Sequence, residues 1–465
     1  MRYMNSCRFN PSILRFGLTF ICLLWFGAVV TRAAPHYVVP TNNDSVATSP
    51  FETWAKAATN IQDAVSAAAD GETVWITNGT YFCQGICTNI TGTLTNTAMV
   101  MLTNAITVRS FSGQYSNTIV NGYYPAWMTR VFYLDNTGAV VSGLTITNGF
   151  STSLSGVGTY MNIGGLLTNC LITGNILTND AADTRLCAGI HMITGTVSHC
   201  IIRGNKALGT NSSCTQSAAI NCTGGSGIIT NCQISWNSIG KGTAYGYACR
   251  LYYSTYRMQG CVVHNNSAGT AITTGGGGIF VGWCAISNNS DLGVFVGEDS
   301  IMRNCLIVTN GRYGVSISQW GGTMVNCTIA GHTVNGFEAD ECVSGEKYAI
   351  ENNIIYYNAV GSTLPGYGNW YSTNIFYTNC CTIPIPTNFL GQTMGTGNIT
   401  NNPLFVNNNA GNWHLTASSS CINTGTNQTW MTNSCDLDGG VRIRYGKVDI
   451  GAYEYINKST LYNFR

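Results

Sequence analysis

The hydrophobic and polar positions in the middle of the chain recur in a fixed pattern. Seven short segments each contain a Cys with an aliphatic residue two positions later, and an eighth segment has Asn353 in the Cys position. The seven residues are Cys170, Cys200, Cys232, Cys261, Cys284, Cys305 and Cys327, which lie 21 to 32 residues apart. Because side chains alternate between the two faces of a strand, each Cys shares one face with its aliphatic neighbour.

A turn residue follows each of these segments. Five positions after the Cys come Asn175, Asn205, Asn237, Asn266, Asn289, Asn310 and finally His332. Asn suits a turn because it tolerates a left-handed backbone, and stacked Asn amides can hydrogen-bond in a ladder. A second strand begins 10 to 12 residues before the next Cys, for example at Ile190, Ile220 and Cys249. This repeat predicts a solenoid in which like residues stack about 4.8 Å apart.

Two strands, a Gly-rich corner and a third short strand in each coil describe a parallel β-helix. With these motifs, the chain resembles the right-handed parallel β-helix proteins of the pectin-lyase-like superfamily, in its large secreted bacterial set. The resemblance implies an all-β, right-handed parallel β-helix over most of the mature chain. It implies no single activity, since the superfamily contains lyases, hydrolases, phage tailspikes and non-catalytic surface proteins.

The N-terminal residues 1–33 are typical of a secretory signal peptide. Arg2, Arg8 and Arg15 precede an apolar run over residues 16–30, and a small-residue cleavage site ends at Ala33. The run is too short for a comfortable membrane span, so we expect a secreted or cell-surface protein without a transmembrane span after cleavage. A retained N-terminal anchor is the alternative.

The mature chain divides into five parts by its patterns. A helix is predicted from Trp54 to Ala69, with Trp54, Ile61 and Val65 on its apolar stripe. The residues from Trp54 to Tyr81 are similar to the N-terminal cap of the superfamily. The predicted parts are an N-terminal cap with first strands (34–97), β-helix coils (98–360), an irregular connection (361–401), a C-terminal capping module (402–456) and a tail (457–465).

Charged residues cluster in the predicted C-terminal module. They are Asp436, Asp438, Arg442, Asp449 and Glu454. A catalytic or calcium-binding cluster is one interpretation, but we favour a satisfied ion-pair cap, in which carboxylates surround one Arg. The calcium interpretation also lacks its expected Glu, because Lys447 stands at that loop position.

The chain has 20 Cys, which in an exported protein first suggests disulfides. We expect the repeated Cys column to be free thiol, since neighbours about 4.8 Å apart with parallel side chains do not match disulfide geometry. The disulfide candidates lie off the column and are Cys83 with Cys87, and Cys421 with Cys435. The chain has no close CxxC pairs, so no zinc site is predicted. The vicinal pair Cys380-Cys381 has no explanation from the sequence.

Charge narrows the list of partners. Only 9% of residues are charged and the net charge is +1, so nucleic acid is not expected as a partner. We expect a monomer that engages polysaccharide.

Unequal coil lengths predict where a binding face lies. Loops 176–188, 206–218 and 238–247 are long and fall at the same corner of successive coils, whereas later coils turn that corner in five residues. These loops should stack into one wall, joined by 149–157, and insertions on one side of a solenoid commonly mark its binding face.

Candidate site residues follow from this wall. The predicted catalytic set is Asp180, Asp183, Arg203 and Arg250. The predicted substrate-binding set is Arg185, His191, Asn221, His264, Tyr245 and Tyr247. The resemblance implies that a lyase would use carboxylates to hold Ca²⁺ and an Arg or Lys as base, and that a hydrolase would use paired Asp. The alternatives are solvated loop charges and a rim of partly buried aromatic rings. No metal site or cofactor is firmly implied, although Ca²⁺ is allowed.

A second charged patch lies farther along the chain. Asp291 and Arg312 stand at the same offset in neighbouring coils, which predicts a surface ion pair. We rank this patch below the loop wall.

Three functions are compatible with the sequence. The first is an exported β-helix that engages extracellular polysaccharide through its loop-walled sheet face. The second is a non-catalytic adhesion or structural solenoid, and the third is a polysaccharide lyase or glycoside hydrolase.

Overall fold

The computed structural model describes residues 33–40, 46–82, 84–91, 94–179, 185–209, 215–240, 245–339, 348–358, 368–371, 375–387 and 393–457. In this part of the chain, three long sheets run side by side, and each coil contributes one strand to each sheet in turn. The chain is therefore an all-β parallel β-helix, as the repeat pattern predicts.

The strands fall into four stacked sheets and one hairpin. The first sheet contains Pro35–Val38, Thr73–Ile76, Thr107–Ser110, Val140–Ser142, Leu166–Thr168, Gly195–Ser198, Gly227–Thr230, Tyr256–Gln259, Phe280–Gly282, Ile301–Arg303, Gly322–Val325, Tyr348–Glu351, Tyr377–Thr378 and Gly395–Thr396. The second sheet contains Gly79–Phe82, Thr118–Asn121, Thr145–Thr147, Leu171–Thr173, Ile201–Arg203, Gln233–Ser235, Val262–His264, Ala285–Ser287, Leu306–Val308, Thr328–Ala330, Ile354–Ile355 and Cys381–Thr382.

The third sheet contains Cys87–Thr91, Leu94–Leu102, Arg130–Leu134, Thr159–Met161, Arg185–Cys187, Ile190–Met192, Thr215–Thr223, Tyr245–Tyr252, Thr270–Gly275, Leu292–Val296, Tyr313–Ile317, Asn335–Ala339 and Trp370–Tyr371. The fourth sheet contains Phe150–Ser151, Ile176–Leu177, Lys206–Ala207 and Ser238–Ile239. A separate antiparallel hairpin pairs Phe405–Asn407 with Asn412–Leu415. The helical segments are the α-helix Ile61–Ala67 and 3-10 turns at Trp54–Lys56, Tyr115–Asn117, Asn408–Ala410 and Thr429–Met431.

The core lies between the three long sheets and is built from columns of like side chains. In the first sheet, Val141, Leu167 and Val197 occupy matching register positions and are fully buried. Each such aliphatic side chain contributes about 1.5–3 kcal/mol when it is removed from water. Regular stacking therefore makes the whole length of the solenoid one continuous core.

The Cys column is buried free thiol, as expected. Each of the seven repeated Cys is at most 2% exposed, and none of them forms a disulfide bond. Their thiols donate to backbone carbonyls; for example, Cys170 Sγ lies 3.2 Å from the Thr168 carbonyl oxygen. Burial raises the pKa of the Cys200 and Cys261 thiols well above its usual value. These residues act as small hydrophobic side chains with weak donors.

One left-handed residue lies directly before each Cys, and another lies directly before the Asn five positions after it, rather than at that Asn itself. Asn169, Asn231, Asn304 and Asn326 all have φ between 51° and 53°. The explanation by left-handed tolerance thus applies to this corner between the first and second sheets, and also to Asn265 and Asn288, which precede ladder residues with φ of 56° and 55°. The Asn at the other corner is explained by its side chain.

That second corner carries an Asn ladder. The amide Nδ2 of Asn205 donates to Oδ1 of Asn237 at 3.0 Å, and Asn237 donates to Asn266 at 3.0 Å. The same amides also donate to backbone carbonyls of the previous coil, such as Ile202. The ladder expected from the sequence is therefore confirmed, and it satisfies polar groups that would otherwise be buried without partners.

His332 continues this ladder as a neutral ring. Asn310 Nδ2 lies 3.3 Å from His332 Nε2, so Nε2 must accept, and His332 Nδ1 lies 2.8 Å from Asn358 Oδ1, so Nδ1 must donate. Burial lowers the pKa of His332 to about 4. Protonation of Nε2 would place its N–H against the N–H of the Asn310 amide, and neither group could accept.

The N-terminal helix is shorter than the predicted Trp54–Ala69. It begins after Asn60, whose side chain accepts from the Gln62 amide at 2.9 Å, and it ends at Ala67. Ile61, Ala64 and Val65 pack into the end of the core. Trp54 lies in a separate 3-10 turn and is 37% exposed, so its place in the apolar stripe was wrong.

Sheet pairing extends into the region predicted as an irregular connection. Tyr377–Thr378 adds to the first sheet and Cys381–Thr382 adds to the second. The strands are only two residues long here, and prolines at 384 and 386 limit regular backbone pairing. Cys380 is buried and faces the core, in the column of the repeated Cys.

The residues predicted as a C-terminal module, 402–456, pack against the side of the solenoid. Its Trp413, Leu437 and Ala452 cover Leu306, Val308 and Ala330 on the outward face of the second sheet.

Side chains from the left-handed corner fasten this module. The Asn304 and Asn326 amides donate to the carbonyl oxygens of Cys435 and Asp449, both at 3.0 Å, and Asn352 donates to the Thr426 carbonyl at 2.9 Å.

The expected disulfide between Cys421 and Cys435 is wrong. Cys421 is a fully buried thiol packed with Cys381, Ile354, Leu415 and Ile450. Cys421 therefore packs beside Cys381, which is distant along the chain, and not beside Cys435. The other expected pair includes Cys83, which lies outside the described residues.

The predicted ion pair on the later coils is confirmed. Arg312 Nε and Nη2 each lie 2.7 Å from an oxygen of Asp291. No helix among the described residues is long and apolar enough to cross a membrane.

Candidate functional site

The described parts of the long loops stack, as the sequence predicts. The fourth sheet aligns Phe150 with Ile176, Lys206 and Ser238, at the base of four successive insertions. The returning segments also pair, with Arg185 beside Thr215 and Tyr245. The fourth sheet and the returning segments enclose a small apolar cluster formed by Val157, Leu177, Ala188 and Ala207.

Polar side chains line the outward face of the third sheet beside this wall. Register pairing aligns Tyr133, Tyr160, His191, Asn221 and Arg250 on five neighbouring strands. Neighbouring strands are about 4.8 Å apart, so this column spans about 19 Å. Together with Arg130, we call these residues the polar face.

Aromatic stacking organises one end of the polar face. The rings of Tyr133 and Tyr160 are 5.4 Å apart and nearly parallel, and those of Tyr160 and His191 are 4.8 Å apart with an interplanar angle of 6°. The Arg130 guanidinium lies 4.6 Å from the centre of the Tyr160 ring. A cation over an aromatic ring is stabilised by the ring quadrupole.

His191 is a neutral residue in the middle of the polar face. Its Nδ1 lies 2.6 Å from Ser155 Oγ and 3.2 Å from Asn221 Nδ2. Because the Asn amide can only donate, Nδ1 accepts and the proton resides on Nε2. Burial, followed by the charges of Arg130 and Arg250, lowers the pKa of His191 to about 3.

The loop before the Thr159–Met161 strand lies directly over His191. Ser155 Oγ accepts from the Cys187 amide at 2.9 Å, and the Ser155 carbonyl accepts from Arg130 Nε at 2.6 Å. Gly156 has φ of +67°, and a Cβ there would lie 2.9 Å from His191 Cβ. A glycine is therefore required for this close approach.

The two arginines stand in different surroundings. Arg130 is 4% exposed, and it contacts the Ser155 carbonyl, Asn96 Oδ1 at 3.4 Å and the tyrosine rings. Among the described residues no carboxylate pairs with it, and burial lowers its pKa to about 10. Arg250 lies 4.1 Å from the Tyr252 ring centre and 3.4 Å from Asn221 Oδ1.

The candidates from the sequence fall into three groups. His191, Asn221 and Arg250 come together on the polar face, and Tyr247 lies half-buried on the same strand as Arg250. Arg203 and His264 point outward from the second sheet, two strands apart and beyond the Asn ladder, so they do not join this face. Asp180 and Asp183 lie outside the described residues, and only the backbone is described for Arg185 and Tyr245.

Sequence reasoning missed Arg130, Ser155 and Tyr160. A signal for Tyr160 was present, because continuing the register of His191 toward the N-terminus reaches Tyr160 and then Tyr133. Ser155 could not be found in this way, since it belongs to a loop without a repeat position.

A shallow groove runs along the corner between the third and first sheets. It has a volume of about 520 Å³ and is lined by small residues from successive coils, with Arg257 at one end. Gly164, Gly195 and Gly227 keep this corner open. The sequence showed these glycines only as a corner of the coil.

Metal ligands do not group in the part of the chain that the structure describes. No set of three His, Cys, Asp or Glu residues there could hold a metal ion. Asp436, Asp449 and Glu454 instead surround Arg442 and accept backbone amides, as in the ion-pair cap favoured from the sequence.

The fold and the face define a parallel β-helix with an elaborated side wall. No family model matches the chain, and no curated protein matches it. Among solved structures, a pectate lyase, Pel9A, is 14% identical with a TM-score of 0.52, covering 92% of this chain and 98% of the lyase.

Two further structures are more distant. XylC in complex with xylose is 10% identical with a TM-score of 0.47, covering 91% of this chain and 99% of XylC. A PL6 alginate lyase in complex with a trisaccharide is 12% identical with a TM-score of 0.36, covering 80% of this chain and 89% of that lyase. At these identities, the likeness shows the fold alone.

Proposed function

We propose that this chain is an exported protein that binds an anionic extracellular polysaccharide on the polar face of its third sheet. The observation that carries the proposal is Arg130, a buried cation for which the described residues supply no carboxylate. A buried charge is costly unless it is paired, so its retention favours a role for which an anion arrives from outside.

The surroundings of Arg130 suit a carbohydrate. Tyr160 and Tyr252 are half-buried, and Tyr253 is 51% exposed, so aromatic surface borders the buried polar groups. Aromatic rings offer flat apolar surface against which sugar rings can stack.

The column also matches a linear ligand. Tyr133 through Arg250 occupy five adjacent strands, which gives a straight row of about 19 Å. A linear polymer lying along the solenoid axis would meet one aromatic or polar side chain of this column at each coil. The structural neighbour that is a pectate lyase is consistent with a polysaccharide ligand, although its likeness extends only to the fold.

Binding is favoured over histidine-based catalysis. A general base works best when its pKa lies near the working pH, whereas the pKa of His191 is lowered to about 3. A ring that stays neutral and accepts at Nδ1 is better suited to orienting Ser155 and Asn221.

The test measures binding of soluble polygalacturonate, alginate and a neutral glucan by affinity electrophoresis and calorimetry. We expect binding to at least one anionic polymer that weakens with salt, and little binding to the neutral glucan. Arg130→Met should weaken binding at least tenfold, which corresponds to about 1.4 kcal/mol.

Arg257→Met is the matched control. Arg257 also stacks over an aromatic ring, Phe280, at 4.5 Å, but it lies on the first sheet. Equal affinity of Arg130→Met and the parent protein would refute the site, and absence of binding to all polymers would favour the structural solenoid. Ultraviolet absorbance from unsaturated products, or new reducing ends, would add a lyase or hydrolase activity respectively.

A further inference from the structure

The vicinal pair Cys380-Cys381 has two different surroundings. Cys380 faces the core, where its thiol lies 3.5 Å from the Ile350 carbonyl oxygen. Because consecutive side chains of a strand point to opposite faces, Cys381 points outward toward the C-terminal module. There it joins a buried cluster with Ile354, Leu415, Cys421 and Ile450.

Cys381 and Cys421 are in direct contact in that cluster. Both are 0% exposed, the Cys381 thiol donates to the Asn401 carbonyl at 3.2 Å, and the neighbouring Cys421 raises the pKa of the Cys381 thiol. Their backbones are also fixed, since Cys381 donates to the Asn353 carbonyl at 2.8 Å and Cys421 accepts from the Ile450 amide at 2.9 Å. Two cysteines in one buried cluster, on backbones from different parts of the fold, need not be parallel neighbours in a sheet and can approach disulfide geometry.

We propose that Cys381 and Cys421 form a disulfide bond under oxidising conditions, which fastens the C-terminal module to the solenoid. This differs from the column, where parallel side chains about 4.8 Å apart are unfavourable for disulfides. The proposal is independent of polysaccharide binding, because neither residue belongs to the polar face.

The reaction needs an external oxidant, which we take to be a disulfide compound such as oxidised glutathione. One Cys thiolate attacks the glutathione disulfide and releases one glutathione thiol, which leaves a mixed disulfide. The second Cys then attacks this mixed disulfide and releases the second glutathione. The two Cys lose two electrons and two protons in total, and one glutathione disulfide becomes two thiols. Because both thiols are buried in the folded protein, exchange proceeds while the module is undocked.

The experiment folds the full chain in a glutathione redox buffer and maps its peptides without reduction. We expect a cross-linked peptide pair containing Cys381 and Cys421, lighter by two hydrogen atoms than the two reduced peptides. Cys380 should remain a thiol that is alkylated after unfolding, which makes it an internal control. Proteolysis within residues 402–456 should be about tenfold slower in the oxidised form than in the reduced form.

Variants separate this bond from general effects of oxidation. Cys381→Ala and Cys421→Ala should each abolish the redox dependence of proteolysis, whereas Cys380→Ala should keep it. A bond between Cys380 and Cys381, a bond between Cys421 and Cys435, or two alkylatable thiols at 381 and 421 in the oxidised protein would each overturn the proposal.

Discussion

Arg130 and Arg442 are both buried arginines, but they lie in opposite kinds of surroundings. Arg442, in the C-terminal module, is fully buried; its Nε lies 3.3 Å from Glu454 Oε1, and its Nη2 donates to the Asp449 carbonyl at 3.2 Å. Arg130, on the polar face, meets a carbonyl, an amide oxygen and two tyrosine rings.

The two arginines differ in whether carboxylates of the chain surround them. The acids around Arg442 are themselves satisfied, since Asp436 and Asp449 each accept backbone amides. Burial raises the pKa of Glu454 to about 8, and the charge of Arg442 opposes this shift. Carboxylates of the chain surround Arg442, although its Nε and Nη1 form no hydrogen bond, whereas no described carboxylate pairs with Arg130.

The largest expected effect is on the cluster around Arg442. At a pH of about 9, above the raised pKa of Glu454, Arg442→Met should destabilise the protein by about 3–5 kcal/mol, because it leaves buried carboxylates without their cation. Chemical denaturation followed by tryptophan fluorescence measures this loss, with Trp413 and Trp430 reporting on the module. A change below about 1 kcal/mol would show that the carboxylates are neutral and that the cluster is not held by charge.

The same substitution on the polar face should behave differently. Arg130→Met should change the free energy of unfolding by no more than about 1 kcal/mol in either direction, because a methionine can fill the site and no carboxylate loses a partner. The measurement is the same denaturation curve. A loss equal to that of Arg442→Met would mean that Arg130 is a structural residue, and the comparison would fail.

An acid titration sharpens the comparison for neutral groups. The pKa of His332 is lowered from 6.5 to about 4, so its contribution to stability is complete above pH 6.5 and is lost as the pH falls toward 4. His332→Asn should restore a continuous amide ladder and be more stable than the parent at pH 5 by about 2 kcal/mol, relative to their difference at pH 8. Parallel pH profiles of the two proteins would contradict the assigned neutral ring.

The smallest effect belongs to the exposed ion pair. Arg312→Gln should cost about 0–1 kcal/mol and less at high salt, although its contact with Asp291 is bidentate, because solvent screens it. Denaturation at low and high ionic strength measures this. A loss above about 2 kcal/mol would show that surface charge contributes as much as buried charge here.

Repetition explains which parts of this architecture could be predicted. The Cys column, the Asn ladder and the stacked wall recur at each coil, so a single register error would have been visible along the whole sequence. Ser155 and Cys421 occupy no repeated position, and their partners, His191 and Cys381, are distant along the chain. Their contacts depend on how one loop and one module fold back onto the coils. Arg203 shows the same limit. Its outward position on a strand of the second sheet does not show whether it lies near His191 and Arg250.

The corner that fastens the C-terminal module has a consequence for the length of the molecule. Asn304, Asn326 and Asn352 each donate to a particular carbonyl of the module. The number of coils that the module covers is therefore fixed. The coils before Cys261 carry no such attachment in the described chain. We therefore expect the protein to tolerate duplication or deletion of a whole upstream turn, which would lengthen or shorten the rod while its anchored end stays intact.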